Sequence, residues 1–200
     1  MKLYGSLTSP YVRKVRVLLM EKNIACELVV CDPHQPDSIV QAHNPLGKVP
    51  VLERDDGSNL FDSPVIMEYL DSQGGDALFP AAGESRWGVL RWQALADGIL
   101  DAVVARLLET RRPKERQSPE ALTLQESKIA RALAFADENC GAEAYLVDGR
   151  FTAADLALGV ALAYTDFRYA HDWRGRHRRL ASWFAPISAR SAFVETQPPG

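Results

Sequence analysis

Cysteine is scarce in this chain: 200 residues contain Cys26, Cys31 and Cys140, an odd number with no C-x-x-C pair. Neither a disulfide framework nor a thiolate zinc site is suggested, and no metal is expected. No apolar run approaches the roughly 20 residues that span a bilayer. Near the N-terminus, Arg13, Lys14 and Arg16 interrupt the only candidate for a secretory h-region, so no membrane partner is expected and a cytoplasmic location follows by default. The formal net charge of -3 supplies no surplus of positive charge for nucleic acid. A basic run at Arg174, Arg176, His177, Arg178 and Arg179 lacks the interleaved aromatics of a stacking platform and reads as a solvated turn. Internal repeats and low-complexity segments are missing too. What is present is an ordinary globular composition, 46% hydrophobic and 24% charged, long enough for two modest domains with a core each.

The hydrophobic period divides the chain. It predicts a strand at Met1 to Gly5 and a helix from Pro10 to Asn23, with Val12, Val15, Leu18 and Leu19 inward and Arg13, Lys14 and Arg16 outward. A strand at Cys26 to Cys31, a short helix near Asp37 to Ala42 and a strand at Val49 to Arg54 follow. Asp55-Asp56-Gly57 turns the chain into a brief strand at Asn59 to Phe61 and a helix from Pro64 to Ser72. This β-α-β-α-β-β-α order is that of an α/β thioredoxin-like domain over residues 1–75. Gly74 through Gly83, containing Pro80, breaks every pattern and sets a linker at 76–83. From 84 to 200 only helical periods appear, predicting an all-α domain. Ser85 to Arg111 carries Trp87, Leu90, Ala94, Leu95, Ile99, Val103 and Leu107 along one face. Ser118-Pro119 opens a helix running to about Asn139, and Thr152 with Asp155 forms a capping box for an apolar helix over Ala153 to Arg168, the expected centre of the second domain. Trp87, Trp92, Trp173 and Trp183 are assigned to the helical core.

Two short segments carry the chemistry. Asn44-Pro45-Leu46-Gly47-Lys48-Val49-Pro50 runs from a turn into a strand through a Val-Pro bond, where proline cannot donate to the ladder. If that bond is cis, the amide and carbonyl of Val49 point outward and can pair with an extended ligand. Asp62-Ser63-Pro64 reads as a helix start, with Ser63 as the cap and Pro64 at the first helical position; free N–H groups there receive an anion and Asp62 answers an ammonium. A ligand with an α-amino acid end and a peptide middle fits these parts. Glutathione is such a ligand.

With these segments in order, and with Ser9-Pro10-Tyr11-Val12-Arg13-Lys14-Val15-Arg16 and Asp148-Gly149-Arg150-Phe151-Thr152-Ala153-Ala154-Asp155 beside them, the chain resembles the cytosolic glutathione S-transferases, in particular bacterial serine-type members. The resemblance covers essentially the whole length. It implies a homodimer that adds the glutathione thiolate to small hydrophobic electrophiles. It also implies that Ser9 is the activating residue, donating a hydrogen bond to the thiolate at a helix N-terminus. Thr8 is the alternative donor and Tyr4 a third; the other reading of Ser9 is that it only caps its helix. Val49, Pro50, Asp62 and Ser63 are expected to hold glutathione, with Lys48, His34 and Gln35 as candidates for its glycine carboxylate. Tyr11 and Leu107 are candidates for the acceptor pocket, and Asp97 for a contact across the dimer. A glutathione-dependent isomerase or peroxidase would keep the same residues, and a non-catalytic interaction protein of the same fold is the third possibility.

Overall fold

The computed structural model describes residues 1–141 and 143–199. Its elements, in chain order, are β1 (Lys2–Gly5), α1 (Pro10–Glu21), β2 (Glu27–Val30), α2 (Val40–His43), β3 (Val51–Glu53), β4 (Asn59–Leu60), α3 (Ser63–Asp71), α4 (Gly83–Thr110), α5 (Pro119–Asn139), α6 (Ala153–Arg168), α7 (Trp173–Arg176), α8 (Arg178–Ser188) and α9 (Ser191–Glu195). They form two compact units: Met1–Phe79 together with the segment from Ser191 onward, and Pro80–Arg190. No helix among the described residues is long and apolar enough to cross a membrane.

The first unit is built on a four-stranded sheet of order β2-β1-β3-β4. β1 runs parallel to β2 and antiparallel to β3, and β3 pairs antiparallel with β4. α1 and α3 pack on each other, and a Cβ at Gly5 would collide with the Val12 side chain, so glycine is what lets α1 leave the sheet so closely. The predicted outward face of α1 needs correction. Arg13 is 6% exposed and Lys14 fully buried, and the last segment of the chain covers Arg13. Arg13 Nη2 donates to the Phe193 carbonyl at 2.9 Å and its Nε to Thr196 Oγ1 at 3.4 Å, while Arg16 Nη1 reaches the Thr196 carbonyl at 3.5 Å. Burial, with Arg16 nearby, lowers the Arg13 guanidinium to about 10. The residues from Ser191 on, counted from sequence with the second domain, thus pack with the first. At the far end of α3, Lys22 Nζ meets Asp71 Oδ1 at 2.6 Å, and Asp71 also accepts from the Leu78 and Phe79 amides at 2.8 and 3.0 Å. The short helix predicted near Asp37 to Ala42 forms later, as α2, because Ser38 bonds the Val40 amide and starts the turn there.

The second unit is all helical, and α4 lies against both α5 and α6. α5 starts where Ser118 accepts from the Ala121 amide at 3.1 Å, with Pro119 in the first turn. α6 is buried along most of its length, as its continuous apolar sequence requires. Its capping box is complete. Asp155 Oδ2 accepts from the Thr152 amide at 2.8 Å and from Thr152 Oγ1 at 3.0 Å, and Oδ1 accepts from the Leu146 amide at 2.8 Å. The carboxylate therefore ties the preceding loop to the start of the central helix. Trp92, Trp173 and Trp183 are core residues, but Trp87 is 62% exposed. With α5 and α6 both packed on α4, the buried side runs through Val89, Trp92, Ala96, Ile99 and Val103, a stripe rotated from the one drawn through Trp87 and Ala94.

Candidate functional site

Strand register gathers the predicted segments of the first unit. Tyr4 stands opposite Val51 and Leu52 opposite Leu60. Residues just after β1, just before β3 and just after β4 therefore lie at one end of the sheet. Those residues are Ser6 to Ser9, Lys48 to Pro50, and Phe61 to Ser63.

Ser9 is the N-cap of α1: its Oγ accepts from the Val12 amide at 3.4 Å, and Pro10 follows in the first turn. The cap uses a lone pair and leaves the hydroxyl proton without an acceptor among the described residues. Capping and hydrogen-bond donation are thus compatible at this residue. Thr8 is differently placed, with its Oγ1 3.1 Å from Ser6 Oγ. Tyr4 is engaged elsewhere. Its hydroxyl donates to Glu53 Oε2 at 2.7 Å, and its ring stacks on His43 with centroids 4.3 Å apart. That hydrogen bond, helped by burial and the charge of Glu53, pushes Tyr4 up to about 12 and holds the Glu53 carboxyl below its usual range. A phenol whose proton is committed to a carboxylate cannot also donate to a thiolate. Because the folded state favours protonated Tyr4, the stability this residue contributes is complete below its ordinary value of about 10 and is lost as pH rises through about 12. A tyrosinate absorbance titration is expected to show one late-ionising residue that Tyr4→Phe removes.

The glutathione-binding candidates share a property: their polar groups are unspent. The Val49–Pro50 bond is cis, and β3 begins at Val51. The main-chain N–H and C=O of Val49 make no hydrogen bond among the described residues. Asp62, rather than Ser63, is the N-cap of α3, a one-residue shift from the sequence expectation. The Asp62 carboxylate is exposed and makes no capping bond, and the hydroxyl of Ser63, a residue buried as a whole, has no partner among the described residues. Lys48 is exposed and its ammonium is in no ion pair among them. His34 and Gln35 lie in the exposed turn after β2, where the His34 amide donates to Asp32 Oδ1 at 2.9 Å. Tyr11 is on α1 with Lys14 Nζ 5.8 Å from its ring centre; Leu107 and Asp97 are half-buried on α4, in the other unit. Among the described residues no group of three His, Cys, Asp or Glu is placed to hold a metal ion.

Sequence reasoning passed over Asn44. Its side chain is buried, accepts from the Leu46 amide at 2.9 Å and donates to the Lys48 carbonyl at 2.8 Å. With Gly47 at φ +62°, this side-chain clamp sets the turn that delivers Val49. The signal was there in Asn-Pro-Leu-Gly, an Asx-turn sequence.

Comparisons with known proteins bear on the family of the chain. The profile of the glutathione S-transferase N-terminal domain matches residues 3–77, and that of the glutathione S-transferase C-terminal domain matches residues 119–185. The chain is 38% identical to the uncharacterized GST-like protein YibF of Escherichia coli K12, over 100% of this chain and 99% of the relative. A glutathione S-transferase from Methylobacillus flagellatus KT, solved with glutathione bound, superposes with a TM-score of 0.95 at 40% identity and 99% coverage of both chains. A glutathione transferase family member from Pseudomonas fluorescens Pf-5, solved with S-(propanoic acid)-glutathione, gives 0.89 at 40% identity and 100% coverage of both. By its two domains, their order and these relatives, the chain belongs to the glutathione S-transferase family.

Proposed function

We propose that this protein is a glutathione transferase that adds the glutathione thiolate to small hydrophobic electrophiles. The observation that carries the reading is the gathering of unspent polar groups at one end of the sheet: the Ser9 hydroxyl proton, the Val49 main chain, the Asp62 carboxylate and the Ser63 hydroxyl. In this reading Val49 pairs with the cysteinyl backbone of glutathione. Asp62 and Ser63 take the ammonium and carboxylate of its γ-glutamyl end, and Lys48 takes the glycine carboxylate. Ser9 donates to the sulfur. Placed at the N-terminus of α1, the sulfur is easier to ionise, and the thiolate is the nucleophile. Addition forms an S–C bond, breaks the π bond of an activated alkene and ends with a proton delivered to the neighbouring carbon. Support comes from relatives at 40% identity that hold glutathione or its thioether.

Tyr11 and Leu107 are proposed acceptor contacts. A homodimer, with Asp97 reaching the γ-glutamyl amine of the other subunit, and a cytoplasmic location belong to the same proposal. Exposed apolar side chains at Val65 on α3 and Trp87 on α4 support association. The test is a panel assay on the purified protein with glutathione and electrophiles, peroxides or cis-enone acids. Thioether formation is the expected result. Peroxide reduction or isomerisation alone would replace conjugation with the second reading, and glutathione binding without any turnover would leave an interaction protein.

A further inference from the structure

One face of the sheet in the first unit carries a polar row. By strand register Lys2 stands opposite Glu53, Tyr4 opposite Val51 and Glu53 opposite Asn59, so these five residues share a face, and alternation turns Leu3, Leu52 and Leu60 to the other. His43, the last residue of α2, meets this row. Its ring stacks on Tyr4 with centroids 4.3 Å apart and 25° between planes, and its Nδ1 lies 3.2 Å from Asn59 Oδ1 and 3.7 Å from Glu53 Oε2. Glu53 Oε2 also accepts from the Tyr4 hydroxyl at 2.7 Å, and Lys2 Nζ lies 3.7 Å from Glu53 Oε1. Three strands thus meet α2 at one imidazole.

A half-exposed network of this kind contributes little to overall stability. Its consequence is local. α2 is a single turn of four residues, too short to persist by itself, so side chains must fasten it to the sheet. Val40, clustered with Tyr4 and Val51, fastens its start and His43 its end. Asn44 comes next, and its side chain clamps the Leu46 amide and the Lys48 carbonyl, while its own carbonyl accepts from the Gly47 amide at 2.9 Å. Val49 then packs against the cluster of Tyr4, Val40 and Val51. The phenol ring that holds His43 therefore also backs Val49.

We propose that His43 is a positioning residue for glutathione: by fixing the end of α2 to Tyr4 and Asn59, it holds the Asn44 turn so that the Val49 main chain is already in place for the peptide middle of the ligand. The inference rests on the transferase reading above and adds the means by which its binding strand is preorganised. A turn that reaches its binding arrangement only about a tenth of the time lowers apparent affinity about tenfold with no ligand contact removed.

Calorimetry with glutathione and amide hydrogen exchange on the full chain test this. His43→Ala is expected to bind glutathione about tenfold more weakly and to exchange the Leu46 and Gly47 amides faster, while the protected amides of β1 and β3 exchange as in the wild type. His43→Phe, which keeps the ring stack and loses the Nδ1 contact, should recover part of the lost affinity. The ionisation curve of the bound thiol should stay that of the wild type, because Ser9 is untouched. Asn59→Ala removes the same contact from the β4 side, is expected to act in the same direction, and decides the matter should His43→Ala fail to fold. Wild-type affinity and wild-type turn exchange in these variants overturn the positioning role and leave the transferase reading standing. Weaker binding without faster exchange at the turn, or with β1 and β3 loosened as well, also overturns it. Absence of glutathione binding by the wild type overturns both readings.

Discussion

Glutathione binding is expected to be lost in the double variant Asp62→Ala, Ser63→Ala. Both side chains are without a partner among the described residues at the start of α3, and the ligand end they are proposed to receive is doubly charged. A hydrogen bond to a charged group contributes about 1.5–3 kcal/mol. Losing both thus amounts to roughly 3–6 kcal/mol, or a hundredfold to ten-thousandfold in affinity. The protein itself should keep its stability, because neither side chain makes a bond among the described residues. Calorimetry and thermal protection by glutathione check the two halves of this expectation. Unchanged affinity in a folded double variant would remove the site.

Asp155→Ala is expected to have the largest effect on stability. The carboxylate is fully buried and accepts from the Thr152 amide, the Thr152 hydroxyl and the Leu146 amide. Burial raises its pKa while these donors pull it down, so the donors offset part of the desolvation. Alanine leaves buried donors without acceptors, at about 1–3 kcal/mol each, against a total stability of about 5–15 kcal/mol. α6 also loses its cap at the centre of the second unit. A fall in thermal midpoint large enough to compromise folding is expected. Asp155→Asn should recover only part of it, because one oxygen becomes an N–H donor facing donors. A thermal midpoint within a few degrees of wild type in Asp155→Ala would contradict this account of the loop.

Local signals were the legible ones. Ser9-Pro10, Ser118-Pro119 and the Thr152/Asp155 box each declare a helix start through side chains a few residues apart, and α5 and α6 begin and end where those signals and the apolar period place them. The cap of α3 moved by one residue because Asp62 and Ser63 are both good cap residues and the backbone alone decides between them. Arg13 was misplaced for a different reason. Its cover comes from about 180 residues further on, through the Phe193 carbonyl and Thr196 hydroxyl, and a local period carries no information on such a neighbour. The Trp87 error has the same origin, since the buried side of α4 is chosen by α5 and α6. At the candidate site the residue types were legible, but the clamp made by Asn44 and the commitment of Tyr4 to Glu53 needed the three-dimensional arrangement.

The central claim is that Ser9 activates bound glutathione by donating to its sulfur, and the thiolate absorbance of the bound ligand over a pH series tests it most directly. Bound thiol in the wild type should ionise below the ordinary thiol value of about 8.5. In Ser9→Ala its pKa should rise by about one unit and turnover should fall about tenfold or more, with glutathione affinity nearly intact because Val49, Asp62 and Ser63 are untouched. Thr8→Ala should change much less. A Ser9→Ala protein that ionises bound glutathione along the wild-type curve and conjugates at the wild-type rate would show that Ser9 only caps α1.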